Sequence, residues 1–257
     1  MTKQKQRLAY NAPQIPETLQ WPNDLDDSEP DVQLEKNVHD IGETCRRARA
    51  LLEMTKTGTA FGAPLVDMII ELHSLDRSAA SWRQTPRWAF SSIAVSDRPD
   101  LIPVARGITD TIQLHPDVWM AYEWNYHRAS RILFLQRLLD CCEAALGTGG
   151  LREDAVRKLN ETVADCVSTI HRLASEVLAT VPQSFGDVDH TGRLHDIHDG
   201  PPRCRAIGAY LLLWPARTIK SEASAISEEH RISALRVFER IREYTGMKRL
   251  LGDKSVV

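Results

Sequence analysis

The stretch VWMAYEWNYHRASRILFLQRLLDCCEAA, residues 118–145, decides the fold class. It contains neither proline nor glycine, so nothing in it breaks a helix. Ile132, Leu133, Leu135, Leu138, Leu139 and Cys142 cover too wide an arc for one surface stripe. A helix apolar over that much of its circumference is enclosed by neighbours. The glycines at 147, 149 and 150 stop it.

The flanking segments carry the same period. Downstream, Val156, Leu159, Val163, Cys166, Ile170, Leu173 and Val177 fall on one face of a predicted helix over 152–179, closed by Pro182. A buried helix follows in CRAIGAYLLLWPARTIKSEASAI (204–226), expected to bend or break near Pro215. The last helix, 228–244, is expected to present Ile232, Leu235, Phe238 and Ile241 to the core. Upstream, Leu34, Val38, Ile41, Cys45, Ala48 and Leu52 mark one helix. Leu65, Met68, Ile69, Leu72 and Leu75 mark another, with Pro64 in its first turn. Residues 85–103 hold three prolines and weak periodicity and read as irregular with one helical turn. No strand alternation of useful length is visible. The expected fold is all-α, a multi-helix orthogonal or bundle-like domain over 32–257. Residues 1–31, with prolines at 13, 16, 22 and 30 and the acidic DLDDSEPD, read as a flexible arm.

Composition narrows the function. With 257 residues, 42% hydrophobic and 26% charged, the chain has an ordinary globular balance. A net charge of −3 argues against a dedicated nucleic-acid binder. No apolar run approaches the roughly 20 residues of a membrane helix. The N-terminus lacks the apolar core of a secretory signal. Five cysteines without a C-x-x-C pair suggest reduced, mostly buried thiols in an intracellular protein.

Candidate chemistry lies in three places. DVDHTGRLHDIHDG (187–200) concentrates His190, His195 and His198 among four aspartates. Histidine and carboxylate ligate metals, but a connecting loop lacks the supporting shell that fixes ligand geometry. Turn and capping roles for Asp187, Asp189, Asp196 and Asp199 are the expectation, with no metal bound. Glu123, His127 and Arg131 share a helix face; they read as a solvated charge ladder or as an acid/base pair. Trp119, Tyr122, Trp124 and Tyr126 either fill core or line a pocket, with Asn125 or Arg128 as its polar anchor. Tyr210 and Trp214 supply matching aromatics on the 204–226 helix. For Arg128 and Arg131 a structural ion pair is the default. No phosphate loop, nucleophile elbow or His-Glu-x-x-His motif occurs.

Three segments carry a family resemblance. WMAYEWNYHRASRIL (119–133) resembles the W-x-A-x-x-W-N-x-x-R-x-x-R-I-L signature of the fungal-specific transcription factor domain, the helical regulatory region of the Zn2Cys6 regulators. VLATVPQSFG (177–186) is similar to that family's Val-Pro helix end. GAYLLLWP (208–215), followed by HRISALRVFERIREYTGMKRLL, is similar to its closing helices. The spacing agrees over about 62–251. That family's DNA-reading module needs six cysteines around two zinc ions, and the spacing of these five cannot build it.

The resemblance implies a ligand-responsive or interaction domain lacking its own zinc cluster, in nucleus or cytoplasm, without cofactor. Its expected partners are a hydrophobic small molecule or a protein, with a homodimer possible; neither direct nucleic-acid binding nor membrane association is expected. The alternative is a stand-alone biosynthetic protein of secondary metabolism on the same scaffold, catalysing a redox-neutral cyclisation, isomerisation or dehydration. Its candidate catalytic residues are Glu123, His127 and His190.

Overall fold

A computed structural model describes residues 30–57, 62–78, 88–148, 151–196, 205–221 and 225–245. The arm expected over 1–31 falls almost wholly outside them, as do His198, Asp199 and Cys204. The described residues are mostly helical, as the periodicity predicts. None of their helices is long and apolar enough to cross a membrane. They belong to two compact units: residues 1–85 with 133–166, and residues 86–132 with 167–257.

In the first unit α1 (Pro30–Lys56) and α2 (Gly62–Ser78) pack together. Val38, Ile41, Ala48 and Leu52 are buried on α1, and Leu65, Met68, Ile69 and Leu72 on α2. Arg47 clamps Glu71 with two parallel hydrogen bonds of 2.6 and 2.9 Å, a fork geometry that fixes the angle between the helices. The C-terminal part of α4 (Val118–Gly147) and the N-terminal part of α5 (Glu153–Ala179) complete the unit. Glu153 and Asp154 lie in the first turn of α5, where their charges complement the helix dipole. Cys141, Cys142 and Cys166 are buried and Cys45 is half-buried; all four are free thiols. Burial pushes Cys45, Cys141 and Cys166 up to about 12 and Cys142 up to about 11, so these thiols stay protonated and unreactive.

The second unit opens with an element that periodicity does not reveal. β1 (Ser91–Ala94) and β2 (Thr111–Leu114) pair antiparallel, Ser91 opposite Leu114 and Ile93 opposite Ile112. Two 3-10 turns, Val95–Asp97 and Pro99–Leu101, and the short α3 (Ile102–Ala105) connect them. Four-residue strands are too short to show alternation, so this region reads as irregular in sequence. Leu101, Ile112, Leu114 and Val188 form a small core beneath the strand pair. Arg106 and Gly107 both adopt left-handed backbone (φ 50° and 62°) to turn the chain back into β2.

The single turn α6 (Val181–Ser184) follows α5, and α7 (Arg205–Lys220) and α8 (Glu228–Thr245) pack along each other. α7 continues through Pro215 without interruption. α8 is rotated from the expected stripe. Of the four residues expected inward, Ile241 is buried, Phe238 half-buried and Ile232 and Leu235 exposed, while Ala234 and Val237 are buried instead. Ala234 lacks a bulky side chain, so a size-weighted reading of the sequence passes over a position that is fully buried. Gly208 on α7 permits a close backbone approach: a Cβ there would lie 1.7 Å from the Ser184 carbonyl oxygen.

Candidate functional site

The polar centre of the second unit is built on one turn of α4. Arg128 is completely buried, and each of its three guanidinium nitrogens donates a hydrogen bond. Nε donates to Glu176 Oε2 on α5 at 3.0 Å. Nη1 donates to Asn125 Oδ1 at 3.2 Å and Nη2 to Gln113 Oε1 on β2 at 2.7 Å. Its face lies 5.0 Å from the Trp124 ring and 5.4 Å from Phe90. Burial lowers Arg128 to about 10, and Glu176 works against that fall, so the group stays charged at neutral pH. Arg172, one turn before Glu176, holds that carboxylate's other oxygen at 2.5 Å. The structural ion pair expected of the signature arginine is therefore formed.

The network extends into the Val-Pro segment. Asn125 Nδ2 donates to Thr180 Oγ1 at 2.6 Å, and Thr180 Oγ1 donates to the Val177 carbonyl at 2.8 Å. Gln183 on α6 grips the backbone of His115, accepting from its N–H at 2.8 Å and donating to its carbonyl at 2.6 Å. Trp124 Nε1 donates to the Trp88 carbonyl at 3.0 Å. The His115 ring is buried 5.0 Å from Phe90, and among the described residues neither ring nitrogen has a hydrogen-bond partner. Burial first, and the charge of Arg128 second, lower its pKa to about 3.

The aromatic candidates separate into two groups. Trp124 is buried in the network. Tyr126 is buried with its ring 4.6 Å from Trp214 and 6.1 Å from Tyr122. Tyr122 and Trp214 are half-buried, while Trp119 and Tyr210 are exposed at 57% and 51%. Thus Trp124, Asn125 and Arg128 are committed to holding elements together. Trp119, Tyr122, Tyr210 and Trp214 retain surface with which to meet something else.

The catalytic candidates differ in exposure. His127 has no exposed surface and Arg131 is 5% exposed, so the expected solvated ladder of Glu123, His127 and Arg131 is instead an enclosed helix face. Such burial follows from α4 being covered nearly all round. His190 is exposed on a tight turn closed by a Val188–Leu194 bridge, with Gly192 at φ 80°. Asp189 Oδ1 accepts from the Thr191 and Arg193 N–H groups at 2.8 and 3.0 Å, the turn role expected of it. Asp187 departs from that expectation: its carboxylate pairs with the buried Arg240 on α8. Arg240 also covers the Phe185 ring at 4.0 Å.

Two clefts are among those that open on the described surface. One of about 350 Å³, in the second unit, lies between the 107–110 turn and the Glu229, Ser233 and Arg236 face of α8. The other, about 640 Å³, lies in the first unit among Arg49, Glu53, Lys56, Arg137, Asp140 and Glu143. Neither is walled by the eight predicted ligand residues. Sequence reading missed Gln113, His115, Glu176, Thr180 and Gln183. Glu176 alone left a trace, the one charged residue in the stretch from Leu173 to Leu178.

No family model, curated protein or solved structure matches the chain.

Proposed function

We propose that this chain is a helical regulatory domain of the fungal transcription-factor type, without a zinc cluster of its own, that acts by binding rather than by chemistry. One observation carries the reading. The three segments that resemble the family signature converge on a single joint in the second unit. Asn125 reaches Thr180, Tyr126 meets Trp214 in a tilted ring contact, and Gly208 lies against Ser184. Residues shared with a family for structural reasons are expected to sit where its elements are locked together, and these contacts between the three segments support the reading. Asn125 and Arg128 of the signature are consumed in hydrogen bonds to neighbouring elements, which suits them to positioning rather than to proton transfer.

On this reading the occupant is a hydrophobic small molecule or a protein surface, received by the partly exposed aromatics Trp119, Tyr122, Tyr210 and Trp214. Its binding would shift the packing of α4 against α7, a population shift that requires different affinity for two arrangements. The direct test fuses the chain to an unrelated DNA-binding domain upstream of a reporter in a fungal host. Regulation predicts reporter output that differs from the bare DNA-binding domain and changes in the Trp119→Ala/Tyr210→Ala double variant. An inert fusion, combined with native mass spectrometry showing neither bound metabolite nor protein, would remove the proposal.

A further inference from the structure

The Arg128 network leaves unused a second cluster of polar side chains, at the N-terminal end of α8. His171 and Ser175 sit one turn apart on α5 and so share a face. Both meet His230. Ser175 Oγ lies 2.8 Å from His230 Nε2, and the two imidazole rings are 5.6 Å apart. On the other side, His230 Nδ1 lies 2.5 Å from Ser227 Oγ, which also accepts from the His230 backbone N–H at 3.3 Å. Ser227 immediately precedes α8 and satisfies one of the donors that a helix start leaves open. A single half-buried imidazole therefore ties the first turn of α8 both to its own cap and to α5. The same turn, through Glu229, Ile232 and Ser233, forms a wall of the 350 Å³ cleft.

We propose that the Ser175–His230–Ser227 bridge is a pH-sensitive latch that holds the first turn of α8 closed at neutral pH and releases it in mild acid. The site is partly removed from water, which disfavours a charged ring. The start of a helix is the positive end of its dipole, which disfavours it further. From α5, the His171 ring 5.6 Å away acts as a like charge on His230 and disfavours its charged form. On α8 itself Glu229 favours the charged form, while Glu228 is occupied with Arg231 at 2.7 Å. Desolvation and His171 outweigh Glu229, and the His230 pKa is lowered. A group with a lowered folded-state value stabilises the closed form above its ordinary pKa and ceases to do so as pH falls. The latch goes beyond the regulatory reading and does not depend on what the chain binds.

Hydrogen exchange of the intact protein, followed by mass spectrometry between pH 7.5 and 5.0 and corrected for intrinsic rates, tests it. Residues 228–233 are expected to lose protection in acid by about threefold or more beyond residues 166–179. His230→Gln keeps a hydrogen-bonding side chain without a titration and should abolish that difference. His171→Gln removes the opposing charge and should move the change to higher pH. Equal acid response of the two segments in the wild type would overturn the latch. So would an unaltered response in a folded His230→Gln variant. If His230→Gln does not fold, the His171→Gln midpoint decides, and an unmoved midpoint is the refuting result.

Discussion

Arg128 and Glu176 meet at 3.0 Å with the guanidinium wholly buried and the carboxylate about one-fifth exposed. That asymmetry sets what each contributes. Arg128→Ala leaves Glu176, Gln113 and Asn125 facing one another without their common donor, and a loss of about 3–5 kcal/mol is expected. Glu176→Gln keeps an acceptor and retains some exposure, so about 1–2 kcal/mol is expected. Urea unfolding of both variants checks the order. Equal losses would mean that the ion pair, and not the guanidinium's wider network, dominates.

The acid limb of stability should report His115. Its folded-state value, about 3, lies below the ordinary histidine value of 6.5, so the unfolded chain takes up the proton first as pH falls. The neutral ring therefore stabilises the fold above about pH 6.5, and that contribution drains away between about 6.5 and 3. The loss has an upper bound of about 3–5 kcal/mol, smaller where water enters the loosened site. His115→Phe fills the same aromatic space beside Phe90 without a titrating group. Melting curves from pH 7 to 4 should be flatter for this variant, and a slope equal to wild type would exonerate His115.

How much of this the sequence discloses depends on whether the cause is local. Residues 118–145 disclose an enclosed helix because the reason, apolar side chains on every side, lies within the segment itself. The buried stripe of α5, Leu159 through Val177, is legible for the same reason. The hydrogen bonds of Gln183 to His115, 68 residues apart, and the Asp187–Arg240 pair, 53 apart, have no local signature. α8 misleads for a different reason. Ile232 and Leu235 look like core by size, yet the face that is buried carries Ala234, Val237 and Ile241, and these two larger residues turn outward. Of the candidate site, residue types are legible from the signature, but their division into structural and surface members depends on tertiary burial.

Two glycines should answer differently to the same substitution. Gly208→Ala forces a Cβ against the Ser184 carbonyl, a backbone atom that no rotamer change can move aside. A loss of more than about 2 kcal/mol is expected, with α6 displaced from α7. Gly147, at the end of α4, has nothing within 4 Å of an added Cβ. Gly147→Ala should raise stability by about 0.4–1 kcal/mol through the unfolded chain's lost freedom. Thermal melts of the pair measure both; destabilisation by Gly147→Ala would reveal a backbone requirement there.

The partly exposed aromatics allow binding to be separated from folding. Trp119 and Tyr210 expose more than half of their surface, so truncation removes little packing, and Trp119→Ala and Tyr210→Phe should each change stability by no more than about 0.5 kcal/mol. Trp124→Phe is the structural counterpart. It removes the 3.0 Å hydrogen bond to the Trp88 carbonyl inside the core and should cost about 1 kcal/mol or more. If Trp119 and Tyr210 receive a ligand or partner, the first two variants weaken binding at unchanged melting temperature. Trp124→Phe should instead lower the melting temperature and affect binding only through the folded fraction. Tyr122→Phe is informative between them. Its ring is half-buried against Tyr126 at 6.1 Å, so removing the hydroxyl leaves packing in place and deletes a hydrogen-bonding tip. An oriented ligand should lose about 1 kcal/mol, roughly fivefold in affinity. Calorimetric titration of whatever co-purifies, carried out on all four variants, reads the pattern. Identical affinities for Trp119→Ala, Tyr210→Phe and Tyr122→Phe would move the binding face away from α4 and α7 altogether.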